Sequence, residues 1–187
     1  MKHGHNAVLL WLVAIVSVAG YAQPPQDDAP AVAEFERRIA AYVTLRDGIE
    51  KGAAELNETA APEEIVAAEL ALAERIRAAR ADARRGDLFT AEVQAHVHRV
   101  LKPEMRGLRG RNTRGVIRDE GPAPEAVAVA VNATYPKDQP HGTVPANLLE
   151  LLPRLPEGLE YRFIDTALVV RDTRANLIVD YMPDALS

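Results

Sequence analysis

Apolar residues follow four successive patterns along the 187-residue chain. The first is a solid run. Residues 7–19 contain Leu9, Leu10, Trp11, Leu12, Val13, Ile15, Val16 and Val18 and no charge. Lys2 precedes the run, and Gly20-Tyr21-Ala22 follows it with small residues at both ends of the tripeptide. This is the layout of a secretory signal peptide cleaved after Ala22. The run falls short of the roughly 20 apolar residues that a membrane-spanning helix needs. Residues 1–22 are therefore expected to be removed, leaving a mature chain that starts at Gln23 and works in the periplasm or outside the cell. The competing reading is an uncleaved N-terminal anchor. Residues 23–30, rich in proline and polar groups, are expected to form a disordered leader.

The second pattern is helical and covers residues 31–102. Val32, Phe35, Ile39, Tyr42, Ile49, Ala53 and Leu56 recur at steps of three and four, and Arg46 alone breaks the stripe. Gly48 and Gly52 lie four apart on the same helix. They mark either a face open to close helix approach or a weak, bent stretch. Arg46, Gly48 and Gly52 are therefore candidate interaction residues. Pro62, Glu63 and Glu64 suit the start of a second helix. Its inner side would carry Ile65, Val66, Leu70, Leu72, Ala73 and Ile76, and it would run to about Arg85 and stop at Gly86. A short loop between the first two helices predicts an antiparallel hairpin. Thr90 is placed to cap a third helix over residues 91–101, ended by Pro103.

In the third stretch, residues 103–124, arginine and glycine replace the apolar stripe. Arg106, Arg109, Arg111, Arg114 and Arg118 are interspersed with Gly107, Gly110 and Gly115, which reads as a flexible basic linker.

The fourth pattern, in residues 125–187, has period two. Val127, Val129 and Val131 alternate with alanine and predict a strand. A loop over residues 135–142 and a short amphipathic helix over 145–152 follow. Strands are then expected at 159–164, 167–171 and 177–181, joined by tight turns into an antiparallel meander. Asp165 and Asp172 read as turn residues and Asp180 as a polar group at a strand end. The fold class is α+β: an N-terminal antiparallel helical hairpin plus a third helix, then a small C-terminal antiparallel sheet with one short helix.

Composition narrows the function. The chain holds 27 acidic and 22 basic residues for a net charge of −5, the wrong sign for a general nucleic-acid binder. With no cysteine it can build no disulfide, thiolate metal site, iron–sulfur cluster or lipid-modified N-terminus, so stability must come from packing. The only serine beyond the signal peptide is Ser187, which removes a Ser–His–Asp hydrolase. Nucleotide-binding glycine loops and a His-Glu-x-x-His zinc motif are absent. Catalytic carboxylate pairs leave no local signature. The expectation is a protein without catalytic activity or cofactor.

Two weak chemical alternatives remain. Glu92, His96, His98 and His141 are the candidate metal ligands. His96 and His98 are two apart and point about 200° apart on a helix, while Glu92 and His96 share a face but supply only two ligands. Solvent-facing histidines on a charged helix, and a solvated loop at His141, are the expected arrangement. The arginine-rich stretch could bind an anionic membrane surface or an acidic partner. It could equally fold over the acidic helices of its own chain.

The C-terminal sequence carries a resemblance. Asn132-Ala-Thr-Tyr135-Pro136, Thr143-Val-Pro145, Leu155-Pro156-Glu-Gly158-Leu-Glu160-Tyr161-Arg162-Phe163, Leu168-Val-Val-Arg-Asp172 and Asn176-Leu-Ile-Val-Asp180 resemble a family of small secreted bacterial proteins with no established activity. The resemblance implies export and carries over no functional residue. Over its last strands the chain is also similar to the C-terminal hairpins of small periplasmic proteins linked to nickel and cobalt homeostasis. That similarity implies architecture alone, since the histidine richness of metal handling is missing. Taken together, these features predict an exported, non-enzymatic envelope protein that acts as an interaction or adaptor module for an unidentified envelope protein.

Overall fold

A computed structural model describes residues 28–52, 61–119, 129–136 and 142–186. The expected signal peptide, most of the leader and His141 lie outside the described residues.

Helix α1 (Ala29–Lys51) opens with a proline in its first turn, where the missing N–H costs nothing. It begins two residues earlier than its apolar stripe suggests, and Asp28 is buried, so the leader is not a free spacer over residues 28–30. Phe35, Ile39, Tyr42 and Arg46 form its buried seam. Helix α2 (Pro62–Ala79) is fastened at its start by Glu64, whose Oε2 accepts from the Ala61 N–H at 2.9 Å. It ends six residues before Arg85, because Arg80 leaves helical geometry and its carbonyl accepts instead from the Asn132 side chain at 2.9 Å. Two contacts tie α1 to the chain at and just after the C-terminal end of α2. The Arg80 guanidinium lies 5.0 Å from the Tyr42 ring centre, and Arg38 donates to the Asp87 carbonyl at 2.6 Å. Helix α3 (Ala91–Leu101) begins as expected, with Thr90 accepting from the Val93 N–H.

The basic stretch is not a flexible linker over most of its length. Residues Gly107–Asp119 form helix α4. Arginine is a good helix former, and Gly110 and Ile117 lie seven apart, which puts them on one helix face. Ile117 is buried, and a Cβ at Gly110 would collide with the Met105 backbone. Ile117 packs against Gly142, and Gly110 lets the turn at Met105 lie close on the start of the helix.

Helix α5 (Ala146–Leu149) is a single turn that buries Leu148. Strands β1 (Leu159–Ile164), β2 (Ala167–Asp172) and β3 (Leu177–Met182) form the expected meander, in the order β1-β2-β3 with both pairs antiparallel. Each outer strand is met at part of its edge by another segment. Residue 143 bridges to Arg162 of β1, and Thr134 bridges to Leu177 of β3. Covering edges in this way blocks pairing with other chains. The strand expected around Val127–Val131 is displaced. Val129 and Ala130 are extended coil, Val131 and Asn132 turn, and backbone pairing with β3 runs from Asn132 to Tyr135. Asn132 adopts a positive φ of 63° there, reversing the chain before the pairing begins. Val127 lies outside the described residues.

One core unites the helical and sheet regions. Leu159, Tyr161 and Phe163 of β1 and Leu168 and Val170 of β2 pack in a single cluster with Phe35, Ile39, Ile76, Val93 and Val97. Phe35 is its hub, with ring centres 5.7 Å from Phe89 and 6.5 Å from Tyr161. The other sheet face holds a smaller core of Tyr135, Ile164, Val169 and Ile178.

The register of β2 against β3 shifts between Val170 and Arg171. Strict alternation from Leu177 would turn Asp180 to the face of Ile178. The bulge sends Val179 and Asp180 both toward the helices and returns Tyr181 to the second core. Such bulges re-aim side chains in this way.

Candidate functional site

Three buried polar nodes join the helices to each other and to the sheet. In the first, Tyr42 Oη donates to Asp172 Oδ2 at 2.7 Å, and Arg46 Nη1 lies 3.5 Å from the same oxygen. The other carboxylate oxygen accepts from the Arg174 and Ala175 N–H groups at 2.8 and 3.1 Å. Burial pushes the Tyr42 phenol well above its usual range, and the Asp172 charge adds to the effect. Arg46 is therefore no docking residue. It is 1% exposed, balanced by Asp172 and by Asp47 at 2.9 Å. Asp172 likewise is more than a turn former.

The second node is Asp180. Its Oδ2 accepts from Leu88 and Phe89 N–H groups at 2.7 and 3.0 Å, and its Oδ1 accepts from Gly86 at 3.1 Å. The carboxylate thus organises the loop between α2 and α3. Burial pushes its pKa up, and these backbone donors pull against that shift.

The third node joins the start of α1 to α3. His96 Nδ1 lies 3.1 Å from Asp28 Oδ2, and Arg99 pairs with the other Asp28 oxygen. His96 is buried rather than solvent-facing, because it falls on the same face of α3 as Val93 and Val97. Burial holds its imidazole below the usual range. Of the other candidate ligands, Glu92 is exposed and His98 half-buried. No three His, Cys, Asp or Glu side chains gather into a metal-holding group among the described residues.

On the second sheet face, Arg171 donates to Glu160 at 2.9 Å and to Asn176 at 2.8 Å, and its guanidinium lies 4.3 Å from the Tyr135 ring centre. Burial would raise the Glu160 pKa, but hydrogen bonds and charge from Arg162 and Arg171 hold it below the usual range. Nothing in the linear sequence links these residues.

Gly48 and Gly52 are exposed. Among the described residues, a Cβ at Gly48 would meet nothing within 4 Å, and one at Gly52 would meet the Ile49 carbonyl of its own helix at 3.5 Å. Arg106 and Arg111 are exposed at the start and on the surface of α4, while the side chains of Arg109, Arg114 and Arg118 lie outside the described set.

The residues that periodicity assigns wrongly are on α2. Ile65, Val66 and Leu70, expected on the inner side, are 51%, 53% and 51% exposed. Leu72, Ala73 and Ile76 in the second half of the same helix are buried. Two causes give this split. Tyr42 of α1 meets Arg80 at the C-terminal end of α2, so the core ends before the first turns at Ile65. Val66 and Leu70 lie about 80–160° round the helix from Leu72 and Ile76. Ile65 shares its face with Leu72 and Ile76, yet that face is covered only along the second half.

No described helix is long and apolar enough to cross a membrane. Comparison with family models, with curated proteins and with solved structures finds no match for the chain.

Proposed function

We propose that this protein is exported and works in the periplasm or outside the cell as a non-enzymatic interaction module, with the first half of α2 as its contact surface. The observation that carries this reading is a half-exposed ridge of Val66 and Leu70, one turn apart, with half-exposed Ile65 beside it, on a helix whose second half is core. Single exposed apolar side chains are ordinary, but Val66 and Leu70 share one helix face and make a patch with Ile65 at its side. Completing their burial against a partner would contribute about 3 kcal/mol of hydrophobic free energy. Exposed Glu63 and Glu64 rim the patch, so the matching surface is apolar at its centre and basic at its edge. Gly48 and Gly52 are exposed near the end of α1.

The buried nodes support the same reading. Asp172 and Asp180 are saturated by donors from their own fold, so they serve as internal anchors for the helices. Export rests on Lys2, the apolar run and the small residues at Gly20 and Ala22.

Two measurements test the proposal. N-terminal sequencing of protein recovered from the envelope should read from Gln23. A photo-crosslinking amino acid at position 66 should give a discrete adduct in the envelope, and Ile65→Asp with Leu70→Asp should abolish it while leaving the circular dichroism spectrum unchanged. Unprocessed protein confined to the cytoplasm would defeat the export claim. Absence of any adduct would defeat the contact surface.

A further inference from the structure

We infer that the occupant of the α2 ridge is helix α4 of a second copy of this chain. The inference rests on the docking reading above and names its partner. Two complementary surfaces on one molecule point to it.

The α2 surface is apolar and acidic. From Ala61 to Glu74 the chain carries no basic residue, and Glu63, Glu64 and Glu74 are exposed there. The α4 segment is its electrostatic opposite. Gly107–Asp119 holds four arginines against the single acid Asp119, with Arg106 directly before it, in a chain whose net charge is −5. Such concentrated opposite charges steer association and fix which surfaces meet.

Among the described residues, nothing covers the side of helix α4 that a partner would need. Gly110 and Ile117 lie on the face packed against its own molecule. Arg111, Asn112 and Gly115 fall on the opposite face of the helix. Arg111 and Asn112 are exposed, and a Cβ at Gly115 would meet nothing within 4 Å. A glycine on an open helix face lets a second helix approach with its apolar side chains at the surface, here Ile65, Val66 and Leu70. A two-fold arrangement would make the contact twice, α2 on the partner's α4 and the reverse.

The test is photo-crosslinking from position 66 of the full chain in a bacterial envelope, with the adduct mapped by mass spectrometry. The expected product has twice the chain's mass and joins position 66 to a peptide within residues 107–119. Arg106→Glu with Arg111→Glu should lower its yield about fivefold, the loss of two rim charge pairs. Adding Glu63→Arg, which leaves the Glu64 cap of α2 in place, should restore part of it. A self-adduct landing outside α4 would overturn the inference. So would an adduct to a different protein or to lipid, though a protein adduct leaves the docking surface itself standing. No adduct at all would overturn both. The mapped peptide decides the matter even if a charge variant fails to fold.

Discussion

Tyr42 and Asp172 are 130 positions apart in the chain and meet in a buried hydrogen bond of 2.7 Å between α1 and the end of β2. The same carboxylate oxygen faces the Arg46 guanidinium one turn further along α1. Tyr42→Phe removes one donor to a buried charged acceptor and should cost about 2 kcal/mol. Asp172→Ala also strands Arg46 without its inner counter-charge and should cost about 3–5 kcal/mol. Urea denaturation checks the order. Equal losses for the two variants would mean that Arg46 draws its balance from Asp47 alone.

Asp180 should matter as much as Asp172, through backbone rather than side-chain donors. Asp180→Ala leaves the N–H groups of Gly86, Leu88 and Phe89 without their acceptor inside the fold. A cost of about 3 kcal/mol or more is expected, since each buried unsatisfied donor carries its own desolvation penalty. Hydrogen exchange should accelerate first at Leu88 and Phe89. Uniform acceleration over the whole core would place the role of Asp180 elsewhere.

Gly158 allows the turn before β1 to pass beneath Arg46. Its φ is +83°, and an added Cβ would sit 2.8 Å from Arg46 Nη1 and 3.1 Å from Arg174 Nε. Gly158→Ala should therefore destabilise by about 1–2 kcal/mol from backbone strain and shift Arg46 away from Asp172. Combined with Asp172→Asn, its penalty should be smaller than in the native background. Strict additivity of the two changes would argue against a shared node.

Stability should fall on mild acidification. Burial holds the folded-state pKa of His96 below its ordinary value of about 6.5. The unfolded chain then takes up the proton first. The contribution of neutral His96 is complete above about pH 6.5 and is lost as the pH falls from there toward the folded pKa, at no more than about 1.4 kcal/mol per pH unit. Asp28 and Arg99 are the charged groups paired at this site, and their mutual ion pair leaves Asp28 less able to favour imidazolium. Denaturation midpoints at pH 7 and pH 5 should differ for the native protein and converge for His96→Gln. A native protein that gains stability at pH 5 would reverse the sign of this argument.

Much of the fold was legible from local pattern. The strands expected at 159–164, 167–171 and 177–181, the last two of which run one residue further, and the Thr90 cap follow from short apolar runs, turn chemistry and a side-chain acceptor, all written within a few residues of where they act. The seam of Phe35, Ile39 and Tyr42 follows from the helical period. Other features depend on segments far apart in the chain. Arg46 reads as a break in an apolar stripe until Asp172 is brought against it. His96 reads as solvent-facing until Asp28 and Arg99 close over it. Asp180 turns inward only because a bulge shifts the register by one residue, and periodicity carries no mark of a bulge. The Gly107–Asp119 helix depends on a place for Ile117 to pack, which the distant Gly142 segment supplies. Helical period likewise puts Ile65 on the face of Ile76 but cannot say where the core ends. Local propensity and period are short-range and survive in the sequence. Burial and charge pairing are set by which distant segments meet, and only the tertiary structure decides that.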